Sequence, residues 1–248
     1  MRIWQKTDQG KVRKENQDNC LTASSGAYTV AVVCDSMGGA AAGQVASFLA
    51  AGTFIETLQA ELEDDLPMEA VTEAGLTAVD KANQVVHARS VDEEACRGMG
   101  TTLVAAICRD TDAVVLNVGD SRAYLINAEG IRAISRDHSL VQEMVESGDI
   151  TAEEARTHPN RNLITRALGT DSRVVCDAFQ QTLAEGDYLL LCSDGLVNTV
   201  TEQEMLYEVI HGEDMDTCLD RLMAIAMDRG APDNVTIVLM AYTKEVEQ

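Results

Sequence analysis

Six short apolar runs along the chain, each rich in Val, Ile or Leu and bounded by Gly, Asp or Asn, predict β-strands. They cover residues 28–34, 103–108, 113–118, 122–126, 188–192 and 235–241. Elsewhere apolar residues recur every three to four positions, which predicts helices. These helical patterns cover residues 41–63, 68–89, 139–147, 151–157, 202–210 and 215–229.

The order of these elements favours an α+β fold over repeated βαβ units. Two long helices come early, the strands then follow one another closely, and a helix pair precedes the last strand. Only a few residues around Asp110–Asp112 separate two of the strands, so those strands should be antiparallel. No linker rich in Pro, Gly or Ser interrupts the 248 residues, and we expect a single domain over residues 1–248.

Four aspartates lie at the boundaries of the predicted strands. Asp35 follows a strand in VCDSMGG, Asp120 lies in LNVGDSR, Asp194 lies in LLLCSDG, and Asp233 precedes a strand in DNVTIVLM. In an antiparallel sheet the end of one strand lies beside the start of its neighbour, so all four can meet at one edge. An unpaired charge beside a core is costly to bury. The pattern therefore predicts a cation site.

The donor types indicate which cations suit this site. Asp18, in RKENQDN, adds a fifth carboxylate, whereas the four histidines are scattered. Oxygen ligands favour Mg²⁺ or Mn²⁺ over zinc. A single Gly-Asp or Asp-Gly pair is more often an ordinary turn. Five carboxylates beside apolar strands make the metal interpretation the better one.

Charge and targeting signals narrow the class of protein further. The net charge of −22, from 41 acidic and 19 basic residues, disfavours binding to nucleic acid or to anionic membranes. No apolar stretch resembles a signal peptide or reaches the ~18 residues of a membrane span. The seven cysteines show no C-x-x-C pair, which is typical of a reducing compartment. We expect a cytoplasmic protein.

Other phosphate chemistries lack their motifs. The chain has no C-x5-R phosphatase loop, no G-x-x-x-x-G-K-[ST] loop and no G-x-S-x-G elbow. The segment from Asp110 to Val114 loosely matches an aspartyl-phosphate motif, but a strand resumes at Ala113, and we interpret the segment as a hairpin turn.

Eight ordered motifs resemble the metal-dependent protein phosphatase family (protein phosphatase 2C), in particular its compact bacterial members. The similarity runs from about residue 5 to residue 242. It implies a central β-sandwich of two antiparallel sheets flanked by α-helices, four layers in all, with a helical flap near 145–168. The motifs are Arg13…Asn16–Gln17–Asp18, Asp35–Ser36–Met37–Gly38–Gly39, Met99–Gly100–Thr101–Thr102, Gly119–Asp120–Ser121–Arg122, Asp137–His138–Ser139, Ile164–Thr165–Arg166–Ala167–Leu168–Gly169, Ser193–Asp194–Gly195 and Asp233–Asn234–Val235–Thr236.

The resemblance also implies a role for each site residue. Asp35 would bridge two core ions, Mn²⁺ or Mg²⁺. Asp194 and Asp233 would complete the first ion. Asp18 and the backbone carbonyl of Ser36 would complete the second. Asp120 with Asp194 would form a weaker third position, and Arg13 would hold the substrate phosphate; Arg13, Asp35 and Asp194 are the expected catalytic residues.

The implied activity is that of a serine/threonine phosphoprotein phosphatase in bacterial signalling. Hydrolysis of the phosphoserine or phosphothreonine monoester would use a metal-bridged hydroxide and no covalent intermediate. Phosphorylated proteins are the expected partners, a serine/threonine kinase would act in opposition, and we expect a monomer. The alternative is a catalytically silent module that binds phosphoproteins. An enzyme for small phosphate esters also stays open.

Two positions depart from the family pattern. The family usually has glycine after the bridging aspartate, where this chain has Ser36, and we expect altered metal affinity. Some relatives have a histidine near this turn, where Met37 and Ala40 stand here. His138 could replace it as a general acid, but we favour a structural role for His138 in its turn.

Overall fold

The computed structural model describes residues 1–37, 40–212 and 214–243. Gly38 and Gly39 of the VCDSMGG motif therefore lie outside the described residues. The strands are β1 (Arg2–Asp8), β2 (Asn19–Ser25), β3 (Tyr28–Cys34), β4 (Ser36–Met37), β5 (Gly100–Thr101), β6 (Leu103–Arg109), β7 (Asp112–Val118), β8 (Arg122–Asn127), β9 (Gly130–Ala133), β10 (Asp177–Thr182), β11 (Tyr188–Cys192) and β12 (Val235–Ala241). The helices are α1 (Ala40–Glu61), α2 (Met68–Asp92), α3 (Leu140–Ser147), α4 (Ala152–Thr157), α5 (Asp194–Val197), α6 (Glu202–His211) and α7 (Met215–Asp228).

Two five-stranded antiparallel sheets form the centre of the molecule. The first sheet has the order β1-β12-β11-β8-β9, and the second has the order β10-β7-β6-β3-β2. The predicted hairpin at Asp110–Asp112 is confirmed, because β6 pairs with β7 and Arg109 lies opposite Asp112. The short strands β4 and β5 pair separately, with Ser36 opposite Thr101.

Three layers of buried apolar side chains hold the sandwich together. One layer, which includes Phe54 and Val79, lies between the second sheet and helices α1 and α2. A second layer, which includes Leu219, lies between the first sheet and helices α5 to α7. The third fills the space between the sheets with residues such as Val33 and Val238. The predicted four-layer α-β-β-α arrangement is confirmed.

This layering explains why the predicted strands appear as continuous apolar runs. In β3, Val30 and Val32 face the helices, whereas Ala31 and Val33 face the other sheet. Because successive side chains point to opposite faces, a strand covered on both sides must be apolar throughout. Each central strand therefore ends abruptly where polar residues begin, and the site aspartates lie at these ends.

The segment between β9 and β10 leaves the sandwich and carries α3 and α4. Thr151 caps the N-terminus of α4: its hydroxyl accepts a hydrogen bond from the Glu154 backbone N–H, and the Glu154 carboxylate accepts one from the Thr151 backbone N–H. Both helices keep their side chains partly or fully exposed. A bridge between Ser139 and Ile164 closes this excursion at its base. Within the described residues, no helix is long and apolar enough to cross a membrane.

Candidate metal centre and active site

The strand ends meet as the sequence predicted. Asp35 follows β3, whose end lies beside the start of β6, and Asp120 follows β7 on the other side of β6. In the facing sheet, Asp194 follows β11, and Asp233 precedes β12, which pairs antiparallel with β11. The two sheets thus each contribute two aspartates to one end of the sandwich.

A cavity of about 250 Å³ opens at this end. Six of the predicted site residues line it: Arg13, Asp35, Ser36, Asp120, Asp194 and Asp233. Asp18 is buried and lies close enough to Asp35 for the two carboxyl groups to repel one another. Asn162 and Ile164, from the flap near 145–168, complete one wall together with Met37.

Two glycines let the backbone bring these aspartates together. Gly119, which precedes Asp120, has a φ of 103°, and a Cβ there would lie 2.6 Å from a methyl carbon of Thr102. Gly195, which follows Asp194, passes so close to Asn234 that a Cβ would lie 1.9 Å from the Asn234 carbonyl oxygen. Larger residues would push apart the segments that carry Asp194 and Asp233. The Gly-Asp and Asp-Gly pairs therefore have a geometric purpose beyond the turn.

The carboxylates repel one another strongly in the absence of a cation. Burial, with repulsion from Asp18 and Asp194, holds the pKa of Asp35 well above its ordinary value. Burial and repulsion from Asp194 raise the pKa of Asp120 to about 8. Burial and repulsion from Asp233 raise the pKa of Asp194 to about 6. Protons therefore occupy this cluster near neutral pH unless another cation neutralises it.

Unsatisfied oxygen atoms show that the donors fit divalent cations. Within the described part of the chain, Asp18 Oδ1 and Asp194 Oδ1 are buried without a hydrogen-bond partner. Buried polar atoms in folded proteins are normally paired with a protein group, an ion or a water molecule. Hard oxygen donors match Mg²⁺ and Mn²⁺. The residues present therefore fit the predicted ions.

The carboxylates are not yet arranged for binding. Within residues 1–37, 40–212 and 214–243, no three Asp, Glu, His or Cys side chains are placed so that they could hold one ion. Arg13 is one reason, because its Nε and Nη2 donate to Asp233 Oδ1 and Oδ2 at 2.8 and 2.6 Å. This bidentate pair occupies both oxygens of a predicted ligand, so Asp233 must release Arg13 before it binds a metal through both oxygens.

The hydroxyl of Thr102 connects the two halves of the site in the second sheet. It accepts a hydrogen bond from the Asp35 backbone N–H at 3.0 Å and contacts the Ser121 hydroxyl at 2.7 Å. Either hydroxyl of this pair can be the donor, and Ser121 is the neighbour of Asp120. Thr101 also donates to the Asp35 carbonyl at 2.9 Å. The Gly-Thr-Thr motif thus fixes the backbone at the predicted bridging ligand.

Asn234 attaches the Arg13 segment to the sheet. Its Nδ2 donates to the carbonyls of Gln9 and Glu15 at 2.8 and 3.0 Å, and its Oδ1 accepts from the Gln17 backbone at 2.9 Å. Sequence reasoning assigned no role to Asn234, although the residue lies beside Asp233 in a recognised motif. Its burial next to a turn is visible only in three dimensions.

Ser36 lies where the resemblance requires a backbone ligand. Its buried hydroxyl has no hydrogen-bond partner among the described residues, so its desolvation is uncompensated. The hydroxyl points toward helix α1, and a Cβ on Gly43 would lie 2.6 Å from it. The side chain is accommodated only because position 43 is glycine.

His138 lies outside the cavity lining, in agreement with the structural role that we favoured. Its Nδ1 accepts from the Gly119 backbone N–H at 3.1 Å, and its Nε2 lies 3.2 Å from Asp177 Oδ2. Burial lowers the pKa of His138. Its contact with Gly119 supports the turn that carries Asp120.

Comparison with known proteins identifies the family. A family model described as protein phosphatase 2C matches residues 10–239. Serine/threonine phosphatase Stp of Listeria monocytogenes is 36% identical over 95% of this chain and 93% of its own. Protein phosphatase PhpP of Streptococcus pneumoniae is 36% identical over 96% of both chains.

Solved structures agree with this assignment. The crystal structure of serine/threonine phosphatase Stp1 from Staphylococcus aureus has a TM-score of 0.92 and 36% identity, and the match covers 98% of this chain and 95% of that one. Because the matched region holds every site residue from Arg13 to Asp233, this chain belongs to the metal-dependent protein phosphatase 2C family.

Proposed function

We propose that the protein hydrolyses phosphoserine and phosphothreonine monoesters in phosphorylated proteins, with two divalent cations, Mn²⁺ or Mg²⁺, held by the carboxylate cluster. The observation that carries the proposal is the convergence of four carboxylates on one cavity, with the buried Asp18 close to Asp35, buried oxygens that lack a hydrogen-bond partner among the described residues, and an arginine in the cavity lining. The relatives are named as phosphatases. A catalytically silent binding module accordingly has no support.

The cluster divides into ligand sets according to the elements that carry it. Asp35 is repelled by both Asp18 and Asp194, so its carboxyl lies close to both of these side chains. This central position suits a carboxylate that is shared by two ions. Asp194 and Asp233 would complete one set, and Asp18 with the Ser36 carbonyl would complete the second. Asp120 with Asp194 would supply a weaker third position.

When bound, the two ions supply Lewis acidity that lowers the pKa of a water molecule and offsets the charge of the phosphate. The carboxylates would determine where the positive charge of the ions lies, because Thr101 and Thr102 hold the backbone of Asp35 in place. A rigid arrangement of this kind needs little rearrangement during the reaction.

Arg13 would orient the substrate phosphate. Its guanidinium is half-exposed at the cavity and offers two parallel N–H donors, which it now directs at the Asp233 carboxylate. A phosphate has the same bidentate acceptor geometry. The local cations and Arg13 would together overcome the repulsion expected from a net charge of −22.

The proposal also extends to the protein's partners, its oligomeric state and its cellular compartment. A serine/threonine kinase would supply the substrates, and the enzyme would act as a monomer. All seven cysteines are described and are free thiols, which supports a reducing, cytoplasmic environment.

The first test is phosphate release from a phosphothreonine peptide with Mn²⁺, with EDTA, and with Mn²⁺ and the Asp35→Asn variant. We expect turnover that requires metal and that is lost in Asp35→Asn. Asp80→Asn is the matched control, because Asp80 is exposed on α2 and contacts only Gln84 through its side chain among the described residues. Folded, metal-loaded wild-type protein that releases no phosphate would overturn the proposal.

A further inference from the structure

The carboxylate of Asp18 has two very different oxygens. Oδ2 accepts hydrogen bonds from the Ser193 hydroxyl at 2.8 Å and the Thr236 hydroxyl at 2.7 Å. Oδ1 is buried and has no partner among the described residues. The side chain cannot rotate to exchange these oxygens without breaking two buried hydrogen bonds. Oδ1 is therefore the oxygen that remains available to a cation.

The direction of each hydroxyl proton follows from the surrounding donors. Ser193 Oγ accepts from the Thr236 backbone N–H at 3.0 Å, so its single proton is free to point at Asp18. Thr236 Oγ1 donates to Asp18 and lies 2.7 Å from Thr7 Oγ1, which leaves Thr7 as the donor in that pair. Thr7 and Thr236 are direct cross-strand neighbours in β1 and β12.

Asn16 begins this chain of hydrogen bonds. Its Nδ2 donates to Thr7 Oγ1 at 2.8 Å, and its Oδ1 accepts from the Asp18 backbone N–H at 3.2 Å. That backbone contact fixes which end of the amide faces Thr7. The donors then run in one direction, from Asn16 through Thr7 and Thr236 to Asp18 Oδ2. Hydrogen bonds that are aligned in this way polarise one another and strengthen the last contact.

Both hydroxyls bind the same oxygen of Asp18, and each has its own oxygen engaged by a further donor. Rotation of the carboxyl group would therefore break two buried hydrogen bonds, each of which is costly to lose. The two contacts thus fix the plane of the carboxyl group and leave Oδ1 as its single available oxygen.

We propose that Thr236 and Ser193, supported by Thr7, are positioning residues that hold Asp18 as a single-oxygen ligand for one of the two core cations. This inference rests on the proposed metal centre and deepens it. The three positioning residues belong to or follow β12, β11 and β1 of the first sheet, whereas Asp18 directly precedes β2 of the second sheet. One sheet thus orients a metal ligand that belongs to the other.

Calorimetric titration of the metal-free protein with Mn²⁺ tests this proposal without reference to turnover. Thr236→Val keeps the shape and the strand preference of the side chain but removes the hydroxyl. We expect one class of Mn²⁺ site to weaken about 10–100-fold, the usual effect of removing a group that orients a ligand. Thr236→Ser keeps the donor and should restore near wild-type affinity. Thr7→Val removes only the supporting donor, and we expect a smaller loss.

Two controls separate this inference from its premise. Thr29→Val makes the same chemical change at the far end of β3 from Asp35, and its Mn²⁺ affinity should equal that of the wild type. If Thr236→Val fails to fold by circular dichroism, Ser193→Ala removes the other hydroxyl and should weaken the same site. Wild-type affinity in a folded Thr236→Val or Ser193→Ala protein overturns the inference alone. A wild-type protein that binds no Mn²⁺ overturns the metal centre and the inference with it.

Discussion

Replacement of Asp35 by Asn should stabilise the metal-free protein while it abolishes metal-dependent function. Asp35 lies among four other carboxylates, and its pKa is held well above the ordinary value by burial and by repulsion from Asp18 and Asp194. The folded protein therefore binds a proton that the unfolded chain releases. Stability from such a group is present below the unfolded pKa and falls as the pH rises through the folded pKa. Asparagine has the shape of the protonated acid without this cost.

The magnitude follows from the ordinary pKa of 3.8. To keep a proton on that group at pH 7.5 costs about 1.4 kcal/mol for each pH unit above its unfolded pKa, or about 5 kcal/mol at most. Because the neighbouring carboxyls share the proton, we expect Asp35→Asn to raise the free energy of unfolding by about 2–5 kcal/mol. For a chain of this size, that is a rise of roughly 5–15 °C in Tm.

Thermal unfolding in EDTA from pH 4 to pH 8 measures this effect. The difference in Tm between Asp35→Asn and wild type should be large at pH 7.5 and should shrink toward pH 4, where the wild-type carboxyl is protonated in both states. Saturating Mn²⁺ should stabilise the wild type far more than the variant. Equal Tm values in EDTA at pH 7.5 would refute the argument that the cluster is electrostatically strained without a cation.

Three further substitutions test other contacts in the site. Arg13→Ala should lower kcat/KM for a phosphopeptide about 10–100-fold, as expected for the loss of a charge-assisted contact. The Mn²⁺ affinity should be equal or tighter, because Asp233 is released from Arg13. Weaker Mn²⁺ binding would contradict this expectation. Thr102→Val leaves the Asp35 backbone N–H without its acceptor, and urea unfolding should show a loss of about 1–3 kcal/mol, whereas Thr102→Ser should retain most of the stability. Ser36→Gly removes a buried hydroxyl without a partner among the described residues. Mn²⁺ titration should show tighter binding by this variant. Unchanged affinity would show that Ser36 has no effect on metal binding.

The strands that the sequence predicts and those that it misses differ in one physical respect. All six predicted strands are interior strands of the two sheets, where both faces are covered and the sequence must be apolar. Within the two large sheets, the four strands without a prediction, β1, β2, β9 and β10, are the edge strands. They keep many exposed positions, so their polar residues resemble loops. Their pairing depends on the neighbouring strand, which no local pattern records.

The same distinction applies to the site. The aspartates stand out because a carboxylate at the end of an apolar run is conspicuous, and a shared sheet edge follows from antiparallel pairing. The hydroxyls of Thr102, Ser193 and Thr236 do not stand out, since Ser and Thr are common in strands and turns. Their role in the site depends on which atoms they contact, and those atoms can be distant in sequence. For example, Asp18 and Thr236 are separated by 218 positions. Only the folded chain supplies that information.

The contact between Arg13 and Asp233 implies that cofactor loading and substrate capture are linked. Under the proposed function, a divalent ion and the guanidinium would compete for the same carboxylate oxygens, so an ion that takes Asp233 would liberate Arg13 to receive a phosphate. By reciprocity, a bound phosphate that engages Arg13 must raise the affinity for the ion by the same factor. Enzyme without its metal would therefore hold phosphorylated proteins weakly and would leave them available to other partners instead of sequestering them unprocessed.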